Sequence, residues 1–263
     1  MRKLLPLTIL MILLSQTQAQ TGVGVSPPRA LYPATPGTSL TGGILVDHPG
    51  RSGTLQVEVV LQDVLLQADG RPLYLDPGSH PRSLSRWLSV SPLTFLLQPQ
   101  ATQEVRYTVQ VPPNVQPGTY WGIIFFESAP AGSRQGGEGL GIRVKTRVGH
   151  VVYVEVGQVS RSGRIQGFRY QPQSREGPAQ VRLVFQNTGT GLLRLKGRVE
   201  VRDLQGRPLA QAEVPETASL PGATHELPAP LEKPLPPGRY LVLAVLDFGS
   251  PSLIAGEGRI EVK

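Results

Sequence analysis

The most informative stretch of the sequence is residues 140–156, which read L-G-I-R-V-K-T-R-V-G-H-V-V-Y-V-E-V. Because successive side chains along a strand point to opposite faces, every second residue shares a face. One face carries apolar residues, namely Leu140, Ile142, Val144 and Val148. The opposite face carries cations, namely Arg143, Lys145 and Arg147. The pattern predicts one long strand with an apolar and a cationic face, although two strands in series fit the same periodicity.

The length of this run is also informative. A single strand over residues 140–156 would reach about 55 Å, whereas a typical strand has roughly five or six residues. A glycine-rich stretch, residues 132–141, leads into it. A strand of this kind is a candidate for pairing with another chain. The alternative is an ordinary place inside a β-sandwich.

The N-terminus has the pattern of a secretory signal peptide, which we place at residues 1–19. Arg2 and Lys3 precede a mostly apolar segment that is too short to span a bilayer, and Ala19 ends a small-residue cleavage site. No later segment has the apolar length of a transmembrane helix. The chain has no Cys, which excludes lipid attachment at the cleavage site and disulfide bonds. We therefore expect a periplasmic or secreted protein, cleaved after Ala19.

Composition and an internal repeat predict the architecture. The chain contains 30 Gly and 26 Pro and lacks long helical periodicity, which favours short strands joined by turns. Two signals recur in the same order: D-G-R-P-L-Y at 69–74 with Q-G-R-P-L at 205–209, and P-G-T-Y at 117–120 with P-G-R-Y at 237–240. We predict an all-β fold with two immunoglobulin-like β-sandwich domains in tandem, over residues 20–157 and 158–263.

Two tyrosines in the repeated signals have an expected structural role. Each Gly-Arg-Pro suits a hairpin turn between strands. Each Pro-Gly-x-Tyr step resembles a tyrosine corner, in which the hydroxyl group hydrogen-bonds to the backbone a few residues upstream. Tyr120 and Tyr240 are therefore predicted to stabilise the fold and not to bind a ligand.

The sequence gives little support for an enzyme. The four His residues are isolated, and no spacing suits a metal site or a nucleophile elbow. We predict no catalytic activity, no metal and no cofactor. The net charge of +7 favours anionic surfaces or carboxylate groups. Export makes nucleic acid an unsuitable partner.

Several segments together resemble the periplasmic pilus chaperones of the PapD-like family. Residues 24–32 read G-V-S-P-P-R-A-L-Y and are similar to the family's opening strand. Residues 87–99, 120–127 and 139–154 resemble, in order, an apolar strand before a Pro turn, the next strand and the long edge strand. The resemblance covers roughly residues 22–156.

This resemblance implies a mechanism and a partner. In the family, the long edge strand completes the sandwich of an exported pilus or surface-fibre subunit by strand addition. The donor residues would be Leu140, Ile142 and Val144. Two basic residues in the cleft hold the terminal carboxylate of the subunit, and Arg29 matches the first of them. The position of the second falls on Gly149, so Arg147 or Lys145 would have to replace it.

Two alternatives remain open on the sequence. One is a structural or adhesive cell-envelope protein made of immunoglobulin-like domains, with cell-wall association in place of chaperone turnover. The other is a carbohydrate-binding module that uses Trp87 and Trp121 as stacking aromatic residues.

Overall fold

A computed structural model describes residues 22–131 and 145–263. The predicted signal peptide therefore lies outside the described residues. Within the described ranges the regular structure consists of β-strands and one short 3-10 helix, Ser85–Trp87. No helix in the described part of the chain is long and apolar enough to cross a membrane.

The first sandwich is built from two sheets, with strand orders β1-β3-β8-β6 and β2-β10-β9-β4-β5, and β7 also pairs with β4. The strands are β1 (Gly24–Ser26), β2 (Arg29–Ala34), β3 (Ser39–Asp47), β4 (Leu55–Leu66), β5 (Pro72–Leu75), β6 (Leu88–Ser91), β7 (Thr94–Leu97), β8 (Thr102–Gln110), β9 (Gly118–Pro130) and β10 (Thr146–Val156).

The second sandwich also has two sheets, with strand orders β11-β12-β15 and β14-β13-β16-β17. The strands are β11 (Gly163–Gln171), β12 (Gln180–Asn187), β13 (Leu193–Arg202), β14 (Pro208–Ser219), β15 (Thr224–Pro230), β16 (Gly238–Asp247) and β17 (Leu253–Val262). The predicted fold class, all-β with two immunoglobulin-like β-sandwich domains in tandem, is confirmed.

Side-chain alternation explains why these segments form strands around two cores. In β12, the side chains of Val181, Leu183 and Phe185 are fully buried, and their neighbours in sequence face the other way. Each such side chain stabilises the fold by about 1.5–3 kcal/mol relative to an exposed one. The same alternation in the first sandwich builds a separate core that includes Ile44 and Phe126.

The repeated turn signals have the predicted structure in both sandwiches. Gly70 lies in the β4–β5 hairpin with φ 82°, and Gly206 lies in the β13–β14 hairpin with φ 85°. Both tyrosine corners are also confirmed. The Tyr120 hydroxyl donates to the Gln116 carbonyl at 2.9 Å, and the Tyr240 hydroxyl donates to the Pro236 carbonyl at 2.7 Å.

Candidate functional site

The two edges of β10 have different neighbours. On one side β10 pairs antiparallel with β9 along its whole length. On the other side it pairs parallel with β2, but only from Val151 onward. Within the described residues, positions 147–150 therefore have a strand partner on one side only. The three predicted donor residues lie outside the described residues: Leu140, Ile142 and Val144.

His150 connects this open edge to the sandwich interior. It is fully buried, and its Nδ1 lies 2.6 Å from the Pro27 carbonyl oxygen, which requires Nδ1 to carry the hydrogen. Its Nε2 then accepts from the Tyr107 hydroxyl at 3.4 Å, and Tyr107 is 2.9 Å from the Tyr32 hydroxyl. Burial lowers the pKa of His150, while the bond to Pro27 acts in the opposite sense. The imidazole is therefore neutral and structural.

The cations at the start of β10 are held by carboxylates on its neighbours. The Lys145 ammonium contacts the Glu127 carboxylate, and it lies 3.7 Å from Oε2 of Glu58. The hydrogen bond to Glu127 raises the pKa of Lys145. Nε of Arg147 lies 3.2 Å from Oε1 of the same Glu127. The register that places residue 147 opposite residue 127 brings both cations to one acid.

Arg147 has further contacts on the outer face of the sheet. Its guanidinium lies 3.8 Å from the centre of the Phe125 ring and 5.7 Å from that of Tyr74. It also donates to Oε1 of Gln62 at 2.8 Å. Arg147 is thus fixed by an ion pair, a hydrogen bond and a cation–π contact.

Arg29 is exposed at the start of β2, where it lies opposite Val151 of β10. Its side chain shares the outer face of the sheet with Leu31, while Tyr32 points into the core. Within the described residues Arg29 makes no ion pair. Arg147 lies four positions before Val151, or about 13 Å along the strand. The structure therefore does not bring Arg29 and Arg147 together around one small ligand.

The outer face of this sheet also forms the junction between the two sandwiches. Trp121 of β9 is 2% exposed and packs with Leu192 and Leu220 of the second sandwich. Its indole Nε1 donates to the Val64 carbonyl at 2.6 Å. Tyr153, which lies opposite Trp121 in the β9–β10 ladder, packs against the same cluster. An apolar contact thus joins the sandwiches beside β10.

Polar contacts fix the same junction. The Thr119 backbone N–H donates to the Thr190 carbonyl, and the Thr119 hydroxyl accepts from the Leu192 N–H, both at 2.9 Å. Nearby, the guanidinium of Arg161 donates to both carboxylate oxygens of Glu155 at 2.7 and 2.6 Å. These bonds flank the connection between the sandwiches, residues 157–162, and restrain their relative orientation.

A second junction contact lies at the tip of the β4–β5 hairpin. The Glu226 N–H of β15 donates to the Ala68 carbonyl at 2.7 Å. The hairpin therefore covers part of the outer edge of β15, an edge that would otherwise present unpaired backbone groups.

Two residues at the junction were missed by the sequence analysis: Tyr153 and Arg194. Burial raises the pKa of the Tyr153 phenol, and the positive charges of Arg29 and Arg194 oppose that rise. The alternation of β10 places Tyr153 on the same face as Arg147, so its face was predictable. Arg194 belongs to the second sandwich, and nothing in its local sequence indicates that it lies near β10.

The buried carboxylate of Asp63 serves the fold. Asp63 is 1% exposed, and Oδ1 accepts from the hydroxyls of Ser83 and Ser85 at 2.6 and 2.7 Å. Its Oδ2 accepts from the backbone N–H of His80 at 3.2 Å. Across residues 22–131 and 145–263, no group of three or more His, Asp or Glu is arranged to hold a metal ion.

The two tryptophans of the carbohydrate-binding alternative do not form a stacking platform. Trp121 is buried at the junction. Trp87 is partly buried, and its ring centre lies 4.5 Å from that of Tyr120. Both indole rings therefore pack against other side chains of this protein.

Comparisons with known proteins give a likeness of fold only. No protein-family model and no curated protein matches the chain. The class 5 fimbriae chaperone CfaA is 11% identical, covers 92% of this chain and 100% of that chain, and has a TM-score of 0.49. The E. coli chaperone DraB is 15% identical over 92% and 96%, with a TM-score of 0.44. A structure of the Salmonella enterica SafA pilin with the SafB chaperone matches at 16% identity over 91% and 97%, with a TM-score of 0.46.

Proposed function

We propose that this protein is an exported, non-enzymatic chaperone that binds a pilus or surface-fibre subunit by β-strand addition along β10. The observation that carries the proposal is the open edge at residues 147–150, where β10 has no strand partner on the β2 side among the described residues. An open edge presents backbone N–H and C=O groups that can pair with a strand of another chain.

The sequence before this edge supplies the specificity. Leu140, Ile142 and Val144 lie an even number of positions before Val148, so in one continuous strand they would share its face. Val148 packs against the core of the first sandwich. In strand addition, main-chain hydrogen bonds give affinity, and alternate side chains fill pockets in the partner. A subunit with an incomplete sandwich would expose an apolar groove and aggregate, and a donated strand would cover that groove.

The position of Arg29 suggests how the added strand ends. On the open side of β10, the start of β2 at Arg29 blocks further pairing beyond His150. An added strand that runs parallel to β10, as β2 does, would bring its C-terminal carboxylate towards Arg29. A guanidinium binds a carboxylate with two parallel hydrogen bonds, so Arg29, which makes no ion pair with a described residue, suits this end.

Lys145 and Arg147 are proposed to support the partner and not to anchor its carboxylate. Both are paired with Glu127. This cross-strand network would hold the start of β10 in its extended form beside the open edge. Binding that needed either cation for a new carboxylate would first have to break these contacts.

A pull-down from the envelope of the source organism tests the proposal. The bait is the mature protein, residues 20–263, compared with its Ile142→Asp variant and with Arg143→Ser as a control on the opposite face of the same segment. We expect the wild type and the control to retain one small exported subunit that Ile142→Asp loses. Thermal unfolding of each bait verifies that the fold is intact.

The opposite outcome favours the structural alternative. If all three baits retain the same proteins, or only wall polymer, strand addition through Ile142 is refuted. A permanent envelope component would also remain in the insoluble envelope fraction, whereas a chaperone would be released with the soluble exported proteins.

A further inference from the structure

The surplus positive charge of the described residues lies in the second sandwich. Residues 22–131 and 145–156 contain eight basic and eight acidic residues, so the first sandwich has no net charge at neutral pH. Residues 157–263 contain fourteen basic and ten acidic residues, a surplus of four positive charges. The proposed pairing along β10 makes no use of this surplus.

The two outer faces of the second sandwich differ in charge. Strand alternation places six basic and six acidic side chains on the outer face of the β14-β13-β16-β17 sheet, where Arg198 lies opposite Glu213. The outer face of the β11-β12-β15 sheet, which we call the arginine face, carries Arg164, Arg169, Arg182 and Glu226. The first face is therefore balanced in charge, whereas the arginine face has three cations and one carboxylate.

The strand register places two of these arginines directly opposite each other. Arg169 of β11 pairs with Arg182 of β12, and like charges in this position destabilise a sheet. One carboxylate serves both: Oε1 of Glu226 lies 2.8 Å from Nη1 of Arg169, and its Oε2 lies 3.5 Å from Nη1 of Arg182. The Nε of Arg182 is shielded from solvent and has no hydrogen-bond partner among the described residues. Glu226 therefore neutralises the pair only in part.

The third arginine extends the arginine face along the sheet. Arg164 is exposed and makes no ion pair with a described residue, and its Nε donates to Oε1 of Gln186 at 3.0 Å. The exposed side chain of Gln166 donates to the same oxygen at 2.9 Å. Because Gln186 and Arg182 are four residues apart on β12, the cations occupy two positions about 13 Å apart. Carboxamide groups lie beside one of these positions.

The side chains of the arginine face indicate the chemistry of its ligand. A guanidinium binds a carboxylate with two parallel hydrogen bonds, and a carboxamide both donates to and accepts from hydroxyl groups. A linear polysaccharide with carboxylated sugars offers both groups repeatedly, whereas an acidic polypeptide offers carboxylates with few hydroxyl groups. None of the large apolar side chains that are exposed in residues 22–131 and 145–263 lies on this face. The face therefore lacks the apolar area that strengthens binding to a lipid surface.

We propose that the arginine face binds a linear polysaccharide whose sugars carry carboxylate groups. One carboxylate binds between Arg169 and Arg182, which Glu226 alone does not neutralise, and a second binds at Arg164. Two carboxylates on one chain bind more tightly than two separate ones, because the second contact is intramolecular. The face belongs to a different sandwich from β10, so this proposal does not depend on strand addition.

Calorimetric titration of the mature protein, residues 20–263, tests the proposal. The probe is polygalacturonate, which has a carboxylate on each sugar, with dextran as the uncharged control and galacturonate as the monomer. We expect polygalacturonate to bind with a dissociation constant that rises with salt. The monomer should bind about a hundredfold more weakly because it cannot reach both cationic positions. No binding of polygalacturonate, or equal binding of dextran or of the monomer, overturns the proposal.

A matched pair of double variants locates the site. Arg164→Gln with Arg169→Gln removes two exposed charges from the arginine face, and Arg198→Gln with Arg259→Gln removes two exposed charges from the balanced face. We expect the first to weaken binding of polygalacturonate by about tenfold or more, the effect of losing charged hydrogen bonds. The second should weaken it by less than about twofold. Equal weakening by both would show that only net charge matters and would refute the site.

A single variant should act in the opposite direction. Glu226→Gln removes the carboxylate that competes for Arg169 and Arg182, so we expect it to tighten binding of polygalacturonate. Loss of folded protein cannot produce such a gain. Unchanged or weaker binding in Glu226→Gln would overturn the position assigned to the ligand carboxylate.

Two other anions distinguish the polysaccharide from other classes of partner. Phosphatidylglycerol vesicles represent a lipid surface and polyglutamate represents an acidic polypeptide, each at the same ionic strength and concentration of negative charge as polygalacturonate. We expect both to bind more weakly than polygalacturonate. If either binds as tightly and loses its affinity in the Arg164→Gln, Arg169→Gln variant, the polysaccharide assignment is refuted. These titrations need no fibre subunit, so their outcome is independent of the pull-down that tests strand addition.

Discussion

Nδ1 of His150 lies 2.6 Å from the carbonyl oxygen of Pro27. Pro27 belongs to the short crossover between β1, in one sheet of the first sandwich, and β2, in the other. The contact attaches that crossover to β10 one residue before the β2–β10 ladder begins. The place where the open edge stops is therefore set by a side chain of β10 itself.

Replacement of His150 should destabilise the first sandwich. In His150→Ala the Pro27 carbonyl loses its donor, the Tyr107 hydroxyl keeps only its bond with Tyr32, and a cavity forms. We therefore expect a loss of about 2–4 kcal/mol in the free energy of unfolding. Urea denaturation measures it. His150→Gln, which can replace one of the bonds, should lose less. Equal stability of His150→Ala and the wild type would contradict the assigned role.

Stability should decrease in mild acid because of two buried imidazoles. Burial lowers the pKa of His150 and of His225. The folded state then binds fewer protons than the unfolded state, whose His pKa is about 6.5. The stability contributed by the neutral imidazoles is therefore present above about pH 6.5 and is lost as the pH falls below it.

The measurement is urea denaturation across that window. The double variant His150→Gln with His225→Asn should show a flatter pH dependence than the wild type between about pH 6.5 and the onset of carboxylate titration. An equally steep decline in both proteins would show that other groups cause it.

The indole of Trp121 should contribute more to the free energy of unfolding than that of Trp87. Trp121→Ala removes a buried ring from the junction and leaves the Val64 carbonyl without its donor, for an expected loss of about 3–5 kcal/mol. Trp87→Ala, at a partly buried position, should cost less. Calorimetry should also resolve two unfolding transitions in Trp121→Ala, because the coupling between sandwiches is weakened. A larger loss of stability in Trp87→Ala than in Trp121→Ala would contradict this prediction.

The contact between Arg147 and Phe125 should give a measurable coupling energy for unfolding. A double-mutant cycle with Arg147→Ala and Phe125→Leu should give about 0.5–1 kcal/mol. High salt should weaken this coupling less than it weakens the ion pair between Lys145 and Glu127, because the Lys145 side chain is exposed to solvent. Additive effects of the two substitutions would contradict the contact.

The two tyrosine corners should contribute equally to the stability of the fold. Tyr120→Phe and Tyr240→Phe each remove one hydroxyl that donates to a carbonyl four residues upstream. We expect each to cost about 1 kcal/mol, measured by thermal unfolding. Subunit capture should be unaffected by Tyr240→Phe, which changes only the second sandwich away from the junction.

The features that local sequence predicts correctly are those in which both partners lie close together in the chain. Alternation identifies the outward direction of Arg147, and the turn residues identify the hairpins at Gly70 and Gly206. The tyrosine corners were predictable because donor and acceptor are separated by a single turn. In each case one short segment determines the geometry.

The features that were missed depend on register or on the angle between domains. The pairing of Glu127 with Arg147 requires the alignment of β9 on β10, which composition does not give. The approach of Arg194 to Tyr153 requires the orientation of the second sandwich, which Thr119 and the Trp121 cluster fix. Sequence alternation at Tyr153 shows its face but not what lies across from it.

The antiparallel pairing of β10 with β9 over eleven residues has a mechanical consequence. Under the proposed function, a growing fibre that pulls on a strand added to β10 would apply force along the axis of β10. That direction loads the β9–β10 hydrogen bonds in shear, so they resist together and do not break one after another as in peeling. The Thr119 bonds then pass part of the load from β9 to the second sandwich, which would act as an anchor for the strand under tension.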